Sequence, residues 1–138
     1  MSFNMQEQGS RFIAELLAGS GQRINGMYIE CSRSGGVDVC CPRNPAYFEA
    51  AKNIAYARVA ISHAYVGPDL GIHFDALVSR NDFNQKYKQG SVLACATLAC
   101  FKDDNPANDI FICTTEFPKA VTVPADAFVT VNTCIKLG

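Results

Sequence analysis

Two histidines, His63 and His73, are the only imidazole groups in this chain of 138 residues. A nucleophilic enzyme needs a base within hydrogen-bond distance of its serine or cysteine, and a third group that orients the base. If residues 70–79 form a strand, His73 and Asp75 lie on one face and could supply part of such a set. A wet strand face also carries His and Asp without any catalysis, and we favour that simpler interpretation. His63, at a predicted strand end, indicates a surface or interface role.

Seven cysteines could form disulfides, bind a metal, react, or pack as small apolar side chains: Cys31, Cys40, Cys41, Cys95, Cys100, Cys113 and Cys134. An odd number of cysteines without an export signal disfavours a secreted disulfide framework. Structural zinc sites usually take ligands in pairs such as Cys-x2-Cys, and the chain has no such pair. Cys95 and Cys100 would lie on opposite faces of a strand. Because free cysteine packs well, we expect a core role, and we predict no catalytic, cofactor-binding or metal-binding residue.

Other motifs that could carry chemistry are weak. The acids Glu30, Asp75 and Glu116 lie in strand-like segments, and their spacing does not single out a general acid and base. Neither a Gly-x-Gly-x-x-Gly motif nor a phosphate-binding Gly-Lys-Ser/Thr motif occurs. Lys86-Tyr87-Lys88 interleaves an aromatic ring with two cations, but twelve basic and thirteen acidic residues give a net charge of −1. The sequence therefore predicts a solvated loop there and no nucleic-acid partner.

The elements that must position these residues are mostly strands. Asn4 and Glu7 have the spacing of a capping box at the start of an amphipathic helix over about 4–18. The β-rich body then runs over about 24–138, with a short helix expected over 46–52 and a short strand over 37–40. Alternation and β-branched or aromatic residues predict the main strands, which are residues 24–31, 54–62, 70–79, 91–101, 110–117 and 128–137.

Two of these segments have a rival interpretation. Residues 54–62 are rich in alanine, which also favours a helix. Residues 91–101 contain no charged side chain and no polar face, so they form either a central strand or a buried helix, and their shortness favours the strand.

Polar or turn-forming residues mark three loops, at 32–45, 80–90 and 102–109.

Composition agrees with one folded domain over residues 1–138. Apolar residues make up 49% of the chain and charged residues 18%, so the chain can fill a core. The order of elements predicts a mainly β fold, an antiparallel β-sandwich or open barrel of about six or seven strands with an N-terminal helix. The sequence lacks an apolar run long enough to span a bilayer and a signal-peptide pattern, so we expect a soluble protein made in a cytoplasm, with no membrane partner.

Four stretches together resemble a group of small structural proteins of tailed bacteriophages. In chain order they are an N-terminal helix leading into INGMYIEC at 24–31, YFEAAKNIAYARVAI at 47–61, SVLACATLAC at 91–100, and VTVPADAFVTVNTCIKLG at 121–138. The last stretch joins a proline-containing turn to a terminal strand, a form typical of those proteins. The resemblance covers most of the chain.

The resemblance implies a virion structural protein, either a capsid decoration or a tail-associated component, and not an enzyme. Such a protein is assembled in the host cytoplasm and acts as a homo-oligomer that contacts other virion proteins. The loops at 32–45, 80–90 and 102–109 are candidate contacts to neighbours, and plain solvent exposure is their simpler interpretation. Two alternatives stay open: a small monomeric β-module that binds a ligand or carbohydrate, and a small enzyme that uses His73 or His63.

Overall fold

The computed structural model describes residues 3–5, 7–32, 47–48 and 55–136 of the chain. Within them one α-helix, α1 (Glu7–Leu17), and two short 3₁₀ helices, Arg80–Asp82 and Pro106–Asn108, accompany eight strands. The strands are β1 (Phe3–Met5), β2 (Gly26–Ser32), β3 (Tyr56–Ala60), β4 (His63–Val66), β5 (Gly71–Val78), β6 (Val92–Cys100), β7 (Ile110–Val121) and β8 (Val129–Lys136).

The strands form two antiparallel sheets. The large sheet has the order β1-β7-β6-β2-β3, and the small sheet has the order β4-β5-β8. Every neighbouring pair runs antiparallel. The prediction of a mainly β antiparallel fold with an N-terminal helix is therefore confirmed, and the arrangement is consistent with a β-sandwich. Beyond the three-residue β1, the seven other strands agree with the predicted number.

The main core lies between the two sheets and also receives α1. Its side chains come from alternate positions of the strands, as the period of a strand requires. Phe12 of α1, Met27 and Ile29 of β2, and Phe74 and Ile135 of the small sheet all belong to this one buried cluster. The small sheet and α1 therefore cover one face of the large sheet.

The opposite face of the large sheet carries a second, aromatic cluster. Tyr28, Phe48, Ala99 and Phe111 are buried together there, and the Tyr28 and Phe48 rings stack with centroids 4.5 Å apart. The alternation of residues 24–31 is typical of a half-buried strand, but Tyr28 and Glu30 on the second face of β2 are as buried as Met27 on its first. The pair Tyr47–Phe48, which is distant in sequence from β2, covers that second face.

The N-terminus differs from the prediction. Asn4 lies in β1, where it pairs with Thr114 of β7, and not at the start of the helix. The helix begins at Glu7, three residues later than expected. A cap motif is a local signal, whereas pairing with β7 depends on a strand more than a hundred positions along the chain.

The central strands follow the sequence closely. The segment 91–101 forms a strand, β6, and not a helix. Strands β2 and β7 flank it in the large sheet, and both of its faces are buried. Residues 54–62 likewise contain β3. The strand predicted at 37–40 lies outside the described residues, as does the helix predicted at 46–52 except for its helical residues 47–48. In the described part of the chain, no helix has the length and apolar character of a membrane span.

Candidate functional site

The outer face of the small sheet gathers most of the chemistry-bearing side chains. We call this surface the polar sheet face and define it by His63, Tyr65, His73, Asp75, Asn132 and Cys134. The antiparallel register aligns His73 with Tyr65 on one side and with Cys134 on the other. Side chains directly opposite one another in a sheet lie close enough to interact. The alternation of β4, β5 and β8 therefore assembles this surface.

His73 is the centre of the polar sheet face. Its Nε2 lies 3.0 Å from Asp69 Oδ1 and 3.7 Å from Cys134 Sγ, while its Nδ1 lies 3.3 Å from Asn132 Oδ1. The ring also stacks on Tyr65, with centroids 5.1 Å apart and planes 9° from parallel. Both ring nitrogens thus have polar neighbours, and the ring plane is fixed by an aromatic contact.

Asp69 reaches this face from the turn between β4 and β5. Its Oδ1 also accepts a hydrogen bond from the backbone N–H of Gly71 at 3.0 Å, and Lys136 Nζ lies 3.9 Å from its Oδ2. The hydrogen bond to His73 lowers the pKa of Asp69, and the same bond raises the pKa of His73. The pair therefore favours a carboxylate facing an imidazolium, although both groups remain accessible to solvent.

Asn132 sets the orientation of His73. Asn132 Nδ2 donates to Asp75 Oδ1 at 2.7 Å, so the amide oxygen of Asn132 faces Nδ1 of His73. An amide oxygen accepts only, and Nδ1 must therefore carry a proton in either charge state of the ring. When the imidazole is neutral, its lone pair is consequently on Nε2, directed toward Asp69 and Cys134.

The predicted pair of His73 and Asp75 shares one face, but Asn132 lies between the two groups. His63 lies on the same face opposite Asp75, and its ring contacts Tyr65 at 5.0 Å instead of joining the cluster around His73. The sequence analysis did not single out Asp69 and Cys134 as partners of His73. One signal for Cys134 was present, since it falls on the polar side of an alternating strand, unlike the four other described cysteines, which are buried.

Cys134, His73 and Asn132 have the connectivity of a cysteine nucleophile with its base and orienting group. A nucleophilic cysteine needs a lowered pKa, whereas partial desolvation and the Asp69 charge raise the pKa of the Cys134 thiol. Asp69 also occupies the side of Nε2 that a thiol would use. Asp69, His73 and Cys134 fit metal coordination better, because their donor atoms all lie within 4.8 Å of one another.

The face of the large sheet that carries the aromatic cluster holds two acidic side chains with a structural role. Asp109 accepts hydrogen bonds from Tyr28 Oη at 2.5 Å and from Arg58 Nε and Nη2 at 2.8 and 2.7 Å. Glu30, one of the acids considered from sequence, accepts from Tyr47 Oη at 3.0 Å and from Cys95 Sγ at 2.9 Å. These groups satisfy one another inside the protein, as buried polar groups must.

An apolar groove separates α1 from the small sheet. It has a volume of about 430 Å³, and its apolar walls are Ile13, Leu16, Leu17, Ile24, Ala64, Ile72, Phe74 and Ile135. Leu17 at its rim is 78% exposed. The groove is therefore a sizeable apolar surface in contact with solvent.

The candidate contact loops differ in character. Within 80–90, Phe83 and Tyr87 are buried, and Tyr87 Oη donates to the backbone oxygen of Ser91. The Lys86-Tyr87-Lys88 segment thus directs its ring into the core, so the expectation of a purely solvated loop is wrong for Tyr87. The loop at 102–109 ends on the buried Asp109, and its other residues are exposed. Nearly all of the 32–45 loop lies outside the described residues.

The comparisons with known proteins give no relative for this chain. A search of protein families, of curated proteins and of solved structures finds no significant match to it.

Proposed function

We propose that this protein works by association: it is a bacteriophage virion structural protein, either a capsid decoration or a tail-associated component, that self-associates and contacts other virion proteins. The virion assignment is supported by the resemblance of the four stretches described above. The self-association is supported by strand β4, the observation that carries the proposal. Assembly of this kind requires no catalytic residue.

Strand β4 is an unprotected sheet edge. It pairs only with β5 in the described part of the chain, and all four of its residues are exposed. Its sequence is His-Ala-Tyr-Val, without a lysine, a proline or an acidic residue. Natural edge strands usually carry such residues to prevent pairing with another chain. Antiparallel pairing of β4 with β4 of a second copy, about a two-fold axis, would satisfy the free backbone groups on both sides.

The surface beside β4 is suited to the same contact. Val66 at the end of β4 is 70% exposed, and Ala64 of β4 lines the apolar groove next to Leu17. A second copy paired at β4 would cover Val66 and part of that groove. Burial of this apolar surface would contribute about 25 cal/mol for each Å² removed from water.

Light scattering coupled to size exclusion tests the self-association. We expect the full chain to give a dimer or a larger assembly, and Val66→Lys to lower the mass to that of a monomer because a buried lysine opposes edge pairing. Phe128→Lys is the matched control. Phe128 is 65% exposed, but it precedes β8, which lies at the opposite edge of the small sheet from β4. A strictly monomeric wild-type chain would refute self-association.

The virion assignment has a separate test. Purified phage particles from a host that carries this gene would be labelled with an antibody to the chain and imaged by electron microscopy. We expect label on the shell or the tail in regular copies. Particles without label, from cells that make the protein, would refute the virion assignment whatever the oligomeric state.

A ligand-binding β-module is the second candidate, and the groove favours it. Ligand pockets typically have volumes of about 300–1,000 Å³ and apolar walls, a range that includes this groove. The lining is suited to an apolar small molecule more than to a carbohydrate. A monomeric chain whose groove binds an apolar fluorescent probe, with loss of binding in Phe74→Ala, would favour this function over assembly.

A further inference from the structure

We propose that Asp69, His73 and Cys134 form a zinc-binding site on the polar sheet face, with three protein ligands and a fourth position open to solvent. No metal site was predicted from the sequence, because the chain lacks cysteine pairs of the Cys-x2-Cys kind. Here the sheet register joins ligands from the β4–β5 turn, from β5 and from β8.

Two of the three distances between donor atoms are close to those around a tetrahedral ion, and the third, between Asp69 and Cys134, is within 4.8 Å. Bond lengths of about 2.0–2.1 Å to nitrogen and about 2.3 Å to sulfur place these two donors about 3.6 Å apart around zinc. The observed separation of His73 Nε2 from Cys134 Sγ is 3.7 Å. A nitrogen and a carboxylate oxygen would be about 3.3 Å apart, and His73 Nε2 is 3.0 Å from Asp69 Oδ1. Small movements of exposed side chains are sufficient to admit the ion.

Two glycines allow the three donor side chains to lie close to the backbone. A Cβ at Gly67 would lie 2.6 Å from His73 Nε2 and 2.8 Å from Asp69 Oδ1. A Cβ at Gly71 would overlap Cys134 Sγ and contact both carboxylate oxygens of Asp69. A side chain at either position would push the donors out of this arrangement.

The outer contacts match those that support metal ligands. A histidine that binds zinc through one nitrogen usually donates its other N–H to an oxygen, which fixes the tautomer. His73 Nδ1 faces Asn132 Oδ1, and Asn132 is held in turn by Asp75. Gly71 N–H likewise orients the Asp69 carboxylate. Each ligand but Cys134 therefore has an outer partner.

The ligand types select the metal. Thiolate, imidazole and carboxylate together are a zinc set, whereas Mg²⁺ and Ca²⁺ prefer oxygen alone. Coordination displaces the proton of the Cys134 thiol into solvent, together with the Nε2 proton of His73 when that ring is an imidazolium, so the bound thiolate neutralises part of the charge of the ion. Lys136 opposes the ion by its charge, but its side chain is 66% exposed and can turn away from Asp69.

Cobalt titration tests the site, because Co²⁺ replaces Zn²⁺ and gives visible spectra. The full chain would carry Cys40→Ser and Cys41→Ser so that these two thiols cannot contribute. We expect one equivalent of Co²⁺ to bind with a thiolate-to-cobalt absorption band, and Zn²⁺ to remove that band. Asp69→Asn, His73→Ala and Cys134→Ser should each weaken binding by at least about tenfold, the lower bound for loss of an outer partner.

Three further variants separate a metal site from a general effect on folding. His63→Ala, the other histidine of the same face, should leave affinity within about twofold, since it adds no ligand. Lys136→Gln should tighten binding by removing a repelling charge. Gly67→Ala keeps every donor and should weaken binding by about tenfold or more, with unchanged circular dichroism. The proposal is overturned if no thiolate band appears at micromolar Co²⁺, if Cys134→Ser keeps the band, or if Gly67→Ala binds as tightly as the parent.

Discussion

Removal of the Asp109 carboxylate should strongly destabilise the folded protein. The Asp109 side chain is fully buried, and it joins Tyr28 of β2 to Arg58 of β3. Arg58 also donates to the backbone oxygen of Asp103 at 3.0 Å and lies 3.8 Å over the Phe101 ring. In Asp109→Ala this guanidinium would stay in place without its anion.

The expected loss follows from the exposure of each partner. Breaking a buried ion pair by removal of one member costs about 3–5 kcal/mol. The Arg58 side chain is 21% exposed and can recover some hydration, so we take about 3 kcal/mol for the pair. Tyr28 is 1% exposed, and its unpaired hydroxyl adds about 1 kcal/mol. The sum of about 4 kcal/mol would lower the midpoint of thermal unfolding by roughly 12–16 °C for a domain of this size.

Urea unfolding followed by circular dichroism measures this change. Tyr28→Phe should cost about 1 kcal/mol alone but recover about 1 kcal/mol when Asp109 is already alanine, because it removes the unpaired hydroxyl, which gives a coupling energy of about 2 kcal/mol. Asp126→Ala, at an exposed position, is the control and should stay within about 0.5 kcal/mol of the parent. A loss below about 1.5 kcal/mol for Asp109→Ala, or additive effects of the two changes, would refute the reasoning.

Three further predictions concern other parts of the fold. Burial raises the pKa of the Cys31 and Cys113 thiols from about 9 to about 12. Their contribution to the free energy of unfolding is therefore complete below pH 9 and declines as the pH rises toward 12. Urea titrations across that range should show the decline, and Cys113→Ala should make it shallower. Gly9→Ala should destabilise by about 2 kcal/mol in the same assay, because its Cβ would overlap the backbone of Ile112, although alanine normally favours a helix; unchanged stability would contradict this packing. Under native conditions, peptide mass spectrometry should find Cys134 alkylated before the buried cysteines of the described residues, and simultaneous labelling would contradict their burial.

Local periodicity was sufficient to predict most of the strands. Alternation located β5 and β8 to within about two residues, and the lack of a polar face in β6 correctly indicated burial on both sides. These signals act within a few residues of one another. The prediction for the N-terminus was wrong for the same reason, since the pairing of Asn4 with Thr114 has no local signature in the sequence.

The polar sheet face could be predicted only in part. Strand period placed His73 and Asp75 on one face, because the side-chain direction depends on the backbone alone. The addition of Cys134 depends on the register between β5 and β8, which residue spacing does not reveal. Asp69 enters through the shape of the turn before β5. The strand period also separates Glu30 from Met27 on the two faces of β2, but the partners of Glu30, Tyr47 and Cys95, come from other segments and could not be predicted from it.

The strand order also determines when the chain can fold during synthesis. Strand β2 pairs with β6, β1 with β7, and β5 with β8, so each sheet needs residues made much later. Neither sheet is complete until β7 and β8 have left the ribosome. Until then, the apolar faces and the edges of the earlier strands are exposed to solvent. Pairings of this kind fold slowly and favour aggregation of unfinished chains. We expect the nascent protein to depend on chaperones that hold it until β8 emerges.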